Sequence, residues 1–275
     1  MKIEIDMYKH KLEDDCLKDM KKAVFCEETF INYHKNFIEE AILPDLIGNS
    51  IKVTEKQFGK IFSVTKEMCN VLNIGQPDIY VYEDFCYAVS AEGLNKPWIQ
   101  ISASTIEDFN KDELKFLIGR ELAHIKSGHM YWKILMKQCI NAPKLISNVP
   151  GAGIANLIGG IEGLEMGLKI IMYKWNRVSE YSSDACGYLL CRNMEAAISS
   201  IKKLILNNKF LAKELNLSEY IKQGELLEDC TSNMAKYSKL DEIAPYGPFR
   251  IKELLRFASS SKTKEIIKEL RDSEN

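Results

Sequence analysis

The chain has 275 residues, 46% of them hydrophobic and 28% charged, enough to bury a sizeable core and free of low-complexity tracts. Its formal net charge is −2 with no clustered basic stretch, which excludes nucleic acid as the expected partner.

The first residues, MKIEIDMYKHKLEDD, are charged throughout and lack the apolar run of a secretory signal, so a cytoplasmic location is expected. Eight cysteines stand at positions 16, 26, 69, 86, 139, 186, 191 and 230 with no C-x-x-C pair. They read as reduced, mostly buried thiols, in preference to a thiolate zinc site. Apolar residues at helical spacing in LKDMKKAVF and FGKIFSVTKEMCNVL predict helix up to about residue 72.

Three β-rich runs follow: DIYVY (78–82), CYAVSA (86–91) and PWIQISA (97–103). Asp84 separates the first two, and Gly93, Asn95 and Pro97 the last two, a spacing that predicts a small antiparallel meander. A helix is expected next, over 111–127. Asn110 and Glu113 form a capping box at its start, and Gly128 supplies a stop. Leu114, Ile118, Leu122 and Ile125 give this helix a buried stripe, while Arg120 and His124, four apart, share another face beside Glu121.

Residues 145–161, LISNVPGAGIANLIGGI, carry no charge but are too short to span a bilayer, and Ser147, Asn148, Pro150 and Asn156 interrupt them. Gly151, Ala155, Gly159, Gly163 and Gly167 recur every four residues, the smooth face of a tightly packed internal helix. Membrane contact through 145–171, without spanning, is the alternative. Farther on, WNRVSEYSSDACGYLLC (175–191) places Glu180 and Asp184 on one helical face. No Pro/Gly/Ser-rich linker divides the chain, so a single domain over 1–275 is expected, with a helical N-terminal segment, residues 1–72, packing on it.

The stretch FLIGRELAHIKSGH (116–129) differs by one letter, Arg120 in place of His, from the zinc signature H-E-x-x-H. That signature works because imidazoles at i and i+4 point to one side of a helix, and the Glu between them serves as base toward a metal-bound water. A third ligand then comes from a later helix, and a further carboxylate anchors a ligand imidazole.

DELKFLIGRELAHIKSGH followed by WNRVSEYSSDACGYLL resembles the CAAX prenyl protease and HtpX type of zinc metallopeptidase, especially its soluble bacterial branch. SIKVTEKQFGKIF, DIYVYED, PWIQIS and YGPFRIKELLRFA extend the resemblance over about residues 50 to 258. It implies an α+β, mostly α, zincin-like fold with a small sheet whose edge receives a peptide, a zinc cofactor, and a peptide or protein partner. Position by position, it makes Glu121 the general base, His124 and Glu180 metal ligands, Asp184 the acid behind them, and Arg250 the basic residue of a C-terminal catalytic motif.

This chain departs from the pattern in three places. Arg120 stands where the first histidine ligand belongs, Ala244 where a histidine steadies the oxyanion, and Tyr87 where a strand motif has Asn. Arginine stays protonated and has no lone pair to give, so zinc binding is expected to be weak or absent. Between Glu121, Glu180 and Asp184, its guanidinium is expected to neutralise the carboxylates in a closed ion-pair cluster. His129 is the candidate substitute ligand, but on an unbroken helix it lies about 140° round from His124 and faces away. A polar residue just past a helix end is its simpler description. His10 and His34 carry no motif. Two functions follow: a family member of weak or no peptidase activity that binds peptides or proteins in the inherited cleft, or an active metalloendopeptidase using His124, Glu180 and His129.

Overall fold

The computed structural model describes residues 1–23, 27–141, 160–230, 232, 238–240 and 242–272. Helix dominates, as expected for the α+β, mostly α class. Helices α1 (Glu13–Ala23), α2 (Glu27–Tyr33) and α3 (Glu39–Asn49) lead to a strand, β1 (Ser50–Lys52), and then to α4 (Gly59–Leu72). The expectation of helix throughout, up to residue 72, therefore misses one edge strand. Strands β2 (Asp78–Tyr82), β3 (Val89–Glu92) and β4 (Trp98–Ser102) complete a four-stranded sheet in the order β1-β2-β4-β3.

This order corrects the predicted meander. β2 pairs with β4 in parallel, Asp78 opposite Trp98, while β3 pairs antiparallel with β4 on its other side and becomes an edge. The connection 83–88 carries the chain across to that far side because it is anchored away from β2. Tyr87 N–H donates to Asn207 Oδ1 at 2.6 Å, and the Tyr87 hydroxyl donates to Asp108. The two central strands are then covered on both faces, as parallel pairs usually are.

Short helix α5 (Ala103–Asp108) leads into α6 (Lys111–Lys126). The predicted capping box is present: Asn110 Oδ1 accepts from Asp112 and Glu113 N–H at 3.0 Å, and Glu113 accepts from Asn110 N–H at 2.7 Å. Of the predicted stripe, Ile118 and Leu122 are fully buried and Leu114 and Ile125 partly so. Every residue from Phe116 to His124 is buried, so α6 is the central helix of the fold. Gly128 takes φ +69°, a left-handed value suited to glycine, and the chain restarts at once as α7 (His129–Asn141).

After residues 142–159 comes the long helix α8 (Gly160–Cys191), followed by α9 (Met194–Leu206), α10 (Lys209–Glu214), α11 (Leu217–Asp229), α12 (Gly247–Ser259) and α13 (Ser261–Asp272). The small-residue ladder lies largely outside the described residues; Gly167, within α8, is exposed with open space beside it. Among the described residues, no helix is long and apolar enough to cross a membrane. Cys16, Cys69, Cys186 and Cys191 are buried free thiols, Cys86 and Cys230 exposed ones.

α6 and α8 approach closely where two glycines meet. A Cβ on Gly187 would lie 2.7 Å from the Phe116 carbonyl oxygen, and one on Gly119 would lie 3.2 Å from Gly187 Cα. That missing bulk brings Arg120 on α6 directly against the acidic face of α8.

Candidate functional site

Arg120 is 6% exposed and lies among three carboxylates. Its Nη2 donates to Glu180 Oε2 at 2.5 Å, and its Nη1 stands 3.7 Å from Glu121 Oε1. Its Nε is 2.6 Å from Asp184 Oδ1, a charge contact in which the N–H is not aimed at the oxygen. Burial disfavours the charged guanidinium, but Asp184 and Glu180 outweigh it and raise the arginine's pKa. Arg120 is thus ion-paired with Glu180 and Asp184 and adjoins Glu121.

Asp184 is held from its other side by Arg250, whose Nε and Nη2 reach Oδ2 and Oδ1 at 2.6 and 2.8 Å. This bidentate fork positions Asp184. Arg250, expected as a catalytic residue, makes this contact to Asp184 and is not among the residues that line the groove described below. Glu121 accepts the Ala91 N–H at 2.9 Å, on the outer side of edge strand β3. Burial pushes its carboxyl up, against the opposing pull of Arg120 and Lys133.

His124 is 1% exposed and has partners on both ring nitrogens. Lys133 Nζ lies 3.1 Å from Nε2, and because an ammonium can only donate, Nε2 must be the acceptor and Nδ1 must carry the proton. Nδ1 faces His129 Nδ1 at 2.9 Å and Ser183 Oγ at 3.1 Å. His129 Nε2 lies 2.9 Å from Glu13 Oε1, and the Ser182 hydroxyl donates to the other oxygen of Glu13. Burial, reinforced by the Lys133 ammonium, holds the His124 imidazole well below its ordinary pKa and therefore neutral.

His129 does lie just past the end of α6, as the first residue of α7, but it is buried rather than solvated. It is 2% exposed, folded back against His124 by the turn at Gly128. It also meets the wrong nitrogen for a substitute ligand: it adjoins Nδ1, whereas Glu180 lies at Nε2, 3.4 Å from it. The His10 and His34 imidazoles each lie beside a glutamate, Glu253 and Glu39 respectively, and the His10 backbone N–H donates to Ser182 Oγ at 2.9 Å.

Lys133 and Glu13 belong to no motif, and nothing in the sequence marks them. Lys133 donates to Glu180 Oε1 at 2.6 Å as well as to His124. Burial alone would raise the Glu180 carboxyl, yet the Lys133 ammonium and the Arg120 guanidinium hold it well below the usual carboxylate range. A zinc ion fits this donor set poorly. Among the described residues, only His124 and Glu180 offer lone pairs at the expected place, and two cationic side chains, Arg120 and Lys133, already adjoin them. Among the described residues, no group of three or more His, Cys, Asp or Glu is arranged to hold a metal.

A groove of about 550 Å³ opens over the cluster, lined by β3 on one side and by Lys133, Ile134, Lys137 and Tyr173 on the other. Ile243 also lines it, its carbonyl bound by Asn176 Nδ2 at 2.9 Å, and exposed Ala244 follows it. Tyr87 lies outside this lining, tied to Asp108.

Comparison with known proteins finds metallopeptidases similar to this chain. The plastoglobule-localized metallopeptidase 48 (chloroplastic) of Arabidopsis thaliana is 23% identical over 240 residues, which cover 84% of this chain and 66% of that protein, just under two thirds of its length. Protease HtpX homologs of Streptococcus pyogenes are 22% identical over 223 residues, 71% of this chain and 75% of theirs. No solved structure matches. The profile of peptidase family M48 matches residues 55–258, from the turn before α4 to the end of α12, and the chain belongs to that metallopeptidase family.

Proposed function

We propose that this M48-family chain has a metal seat closed by its own cations, and that it binds a peptide or protein segment in the groove along β3 with weak or no hydrolysis. The observation that carries this reading is the burial of Arg120 at the first-ligand position, with Glu180 and Asp184 at 2.5 and 2.6 Å. A guanidinium there supplies the positive charge that a metal would otherwise provide, but offers no Lewis acidity and no site for a water nucleophile. Glu121, the base of the family pattern, has one oxygen engaged by Ala91 N–H and the other beside Arg120. Ala244 leaves the oxyanion without its donor, and one such donor is typically worth about 10²–10³ in rate. What remains is a groove with a strand edge on one wall and a mixed wall of Ile134, Tyr173 and two lysines on the other, suited to an extended chain.

Elemental analysis of the purified protein after dialysis, paired with an unfolded casein-type substrate, tests this. Zinc is expected far below one per chain, with binding of the substrate but little cleavage. Binding should weaken several-fold in Ile243→Glu, which alters the exposed rim of the groove. One zinc retained per chain, with casein cleavage abolished by Glu121→Gln, would replace this reading with that of an active metalloendopeptidase.

A further inference from the structure

We infer that Lys133 is a tethered substitute for the metal ion, engaging the very donor atoms that a zinc would use, so that the site is closed twice over. The inference rests on the closed-seat reading above and adds a second lock to it.

His124 Nε2 and Glu180 Oε1 lie 3.4 Å apart. Two donors on one tetrahedral zinc, each at about 2.1 Å, are separated by about 3.4 Å. The pair has therefore kept the spacing of metal ligands although Arg120 stands in the place of the first histidine. Lys133 Nζ joins both atoms, at 3.1 Å from Nε2 and 2.6 Å from Oε1. A neutral imidazole has one lone pair, in the ring plane, so an N–H donor and a metal ion cannot share Nε2. The rest of the network enforces that arrangement. His124 Nδ1 adjoins His129 and Ser183, His129 in turn adjoins Glu13, and the proton on Nδ1 leaves Nε2 to the ammonium.

Arg120 and Lys133 thus divide the metal's work. Arg120 neutralises the α8 carboxylates from α6, and Lys133 occupies the ligand lone pairs from α7. The lysine side chain is 25% exposed and lines the groove, so it is a long, flexible cation that reaches into the seat from the side where a bound chain would lie. Restoring the missing histidine alone leaves this competitor in place.

The test compares zinc affinity, by competition with a chromophoric chelator, in wild type, Arg120→His, Lys133→Met and the double variant. Wild type and Lys133→Met should show no stoichiometric site, Arg120→His a weak one, and the double variant at least ten-fold tighter binding than Arg120→His. Equal affinity in Arg120→His and the double variant, with wild type zinc-free, would overturn the role of Lys133 and leave the closed-seat reading standing. Zinc held stoichiometrically by wild type would overturn both. Should the double variant fail to fold, the imidazole ¹⁵N resonances of wild type and Lys133→Met decide instead. The His124 Nε2 signal should shift on removal of its donor, and an unchanged signal would overturn the inference.

Discussion

Replacing Arg120 by methionine probes the cluster directly. Methionine keeps the aliphatic stem that packs on α8, where an added Cβ at Gly187 would sit 2.9 Å from Arg120 Cγ, and deletes only the charged head. Three carboxylates lose a partner, but each keeps another: Asp184 keeps the Arg250 fork, Glu180 keeps Lys133, and Glu121 keeps the Ala91 N–H. Breaking a buried pair costs about 3–5 kcal/mol, and the retained partners put this substitution at the lower end, about 3 kcal/mol. Urea denaturation followed by fluorescence of the buried Trp132 and Trp175 should show it as a midpoint lowered by about 1 M or more. The loss should also depend on pH. Glu180 is held below the ordinary value of 4.5, so its contribution is present above that value and disappears as pH falls through its folded pKa. The gap between wild type and variant should therefore be widest near neutrality and narrow in acid. Equal midpoints at neutral pH, or a gap that stays constant in acid, would refute the reasoning.

The neutral, buried His124 adds an earlier acid sensitivity: with its folded pKa below 6.5, its contribution is full above that value and falls by up to about 1.4 kcal/mol per pH unit below it. Urea midpoints between about pH 8 and pH 5 should decline in wild type and decline less steeply in His124→Gln, with His10 and His34, also lowered by burial, supplying the remaining slope. Gly187→Ala inserts a methyl 2.7 Å from the Phe116 carbonyl and 2.9 Å from Arg120 Cγ. It should cost about 1–3 kcal/mol, read as a melting temperature several degrees lower.

Local signals were legible wherever one residue satisfies its neighbours along the chain. The Asn110–Glu113 box, the stop at Gly128 and the run DIYVY each specify backbone geometry within a few residues, and each lies where expected. The pairing of strands was not legible. The choice between meander and parallel pairing was made by Asn207 and Asp108, which hold the 83–88 connection from about 20 to 120 residues away. The edge strand β1 carries three residues with no alternation to mark it.

For the site, the sequence by itself determined which charges α6 and α8 present: Arg120, Glu121 and His124 on one helix, Glu180 and Asp184 on the other. Side-chain identity at helical spacing is enough for that, as it is for knowing that arginine cannot ligate a metal. Only the tertiary structure decided what those charges meet. Lys133 and Glu13 come from α7 and α1, segments with no motif, and the turn at Gly128 swings His129 onto the far nitrogen of His124. A buried charge accepts whichever partner the packing delivers within about 3 Å, and that delivery depends on how the helices cross, here at Gly119 and Gly187, a relation that no spacing along the chain encodes.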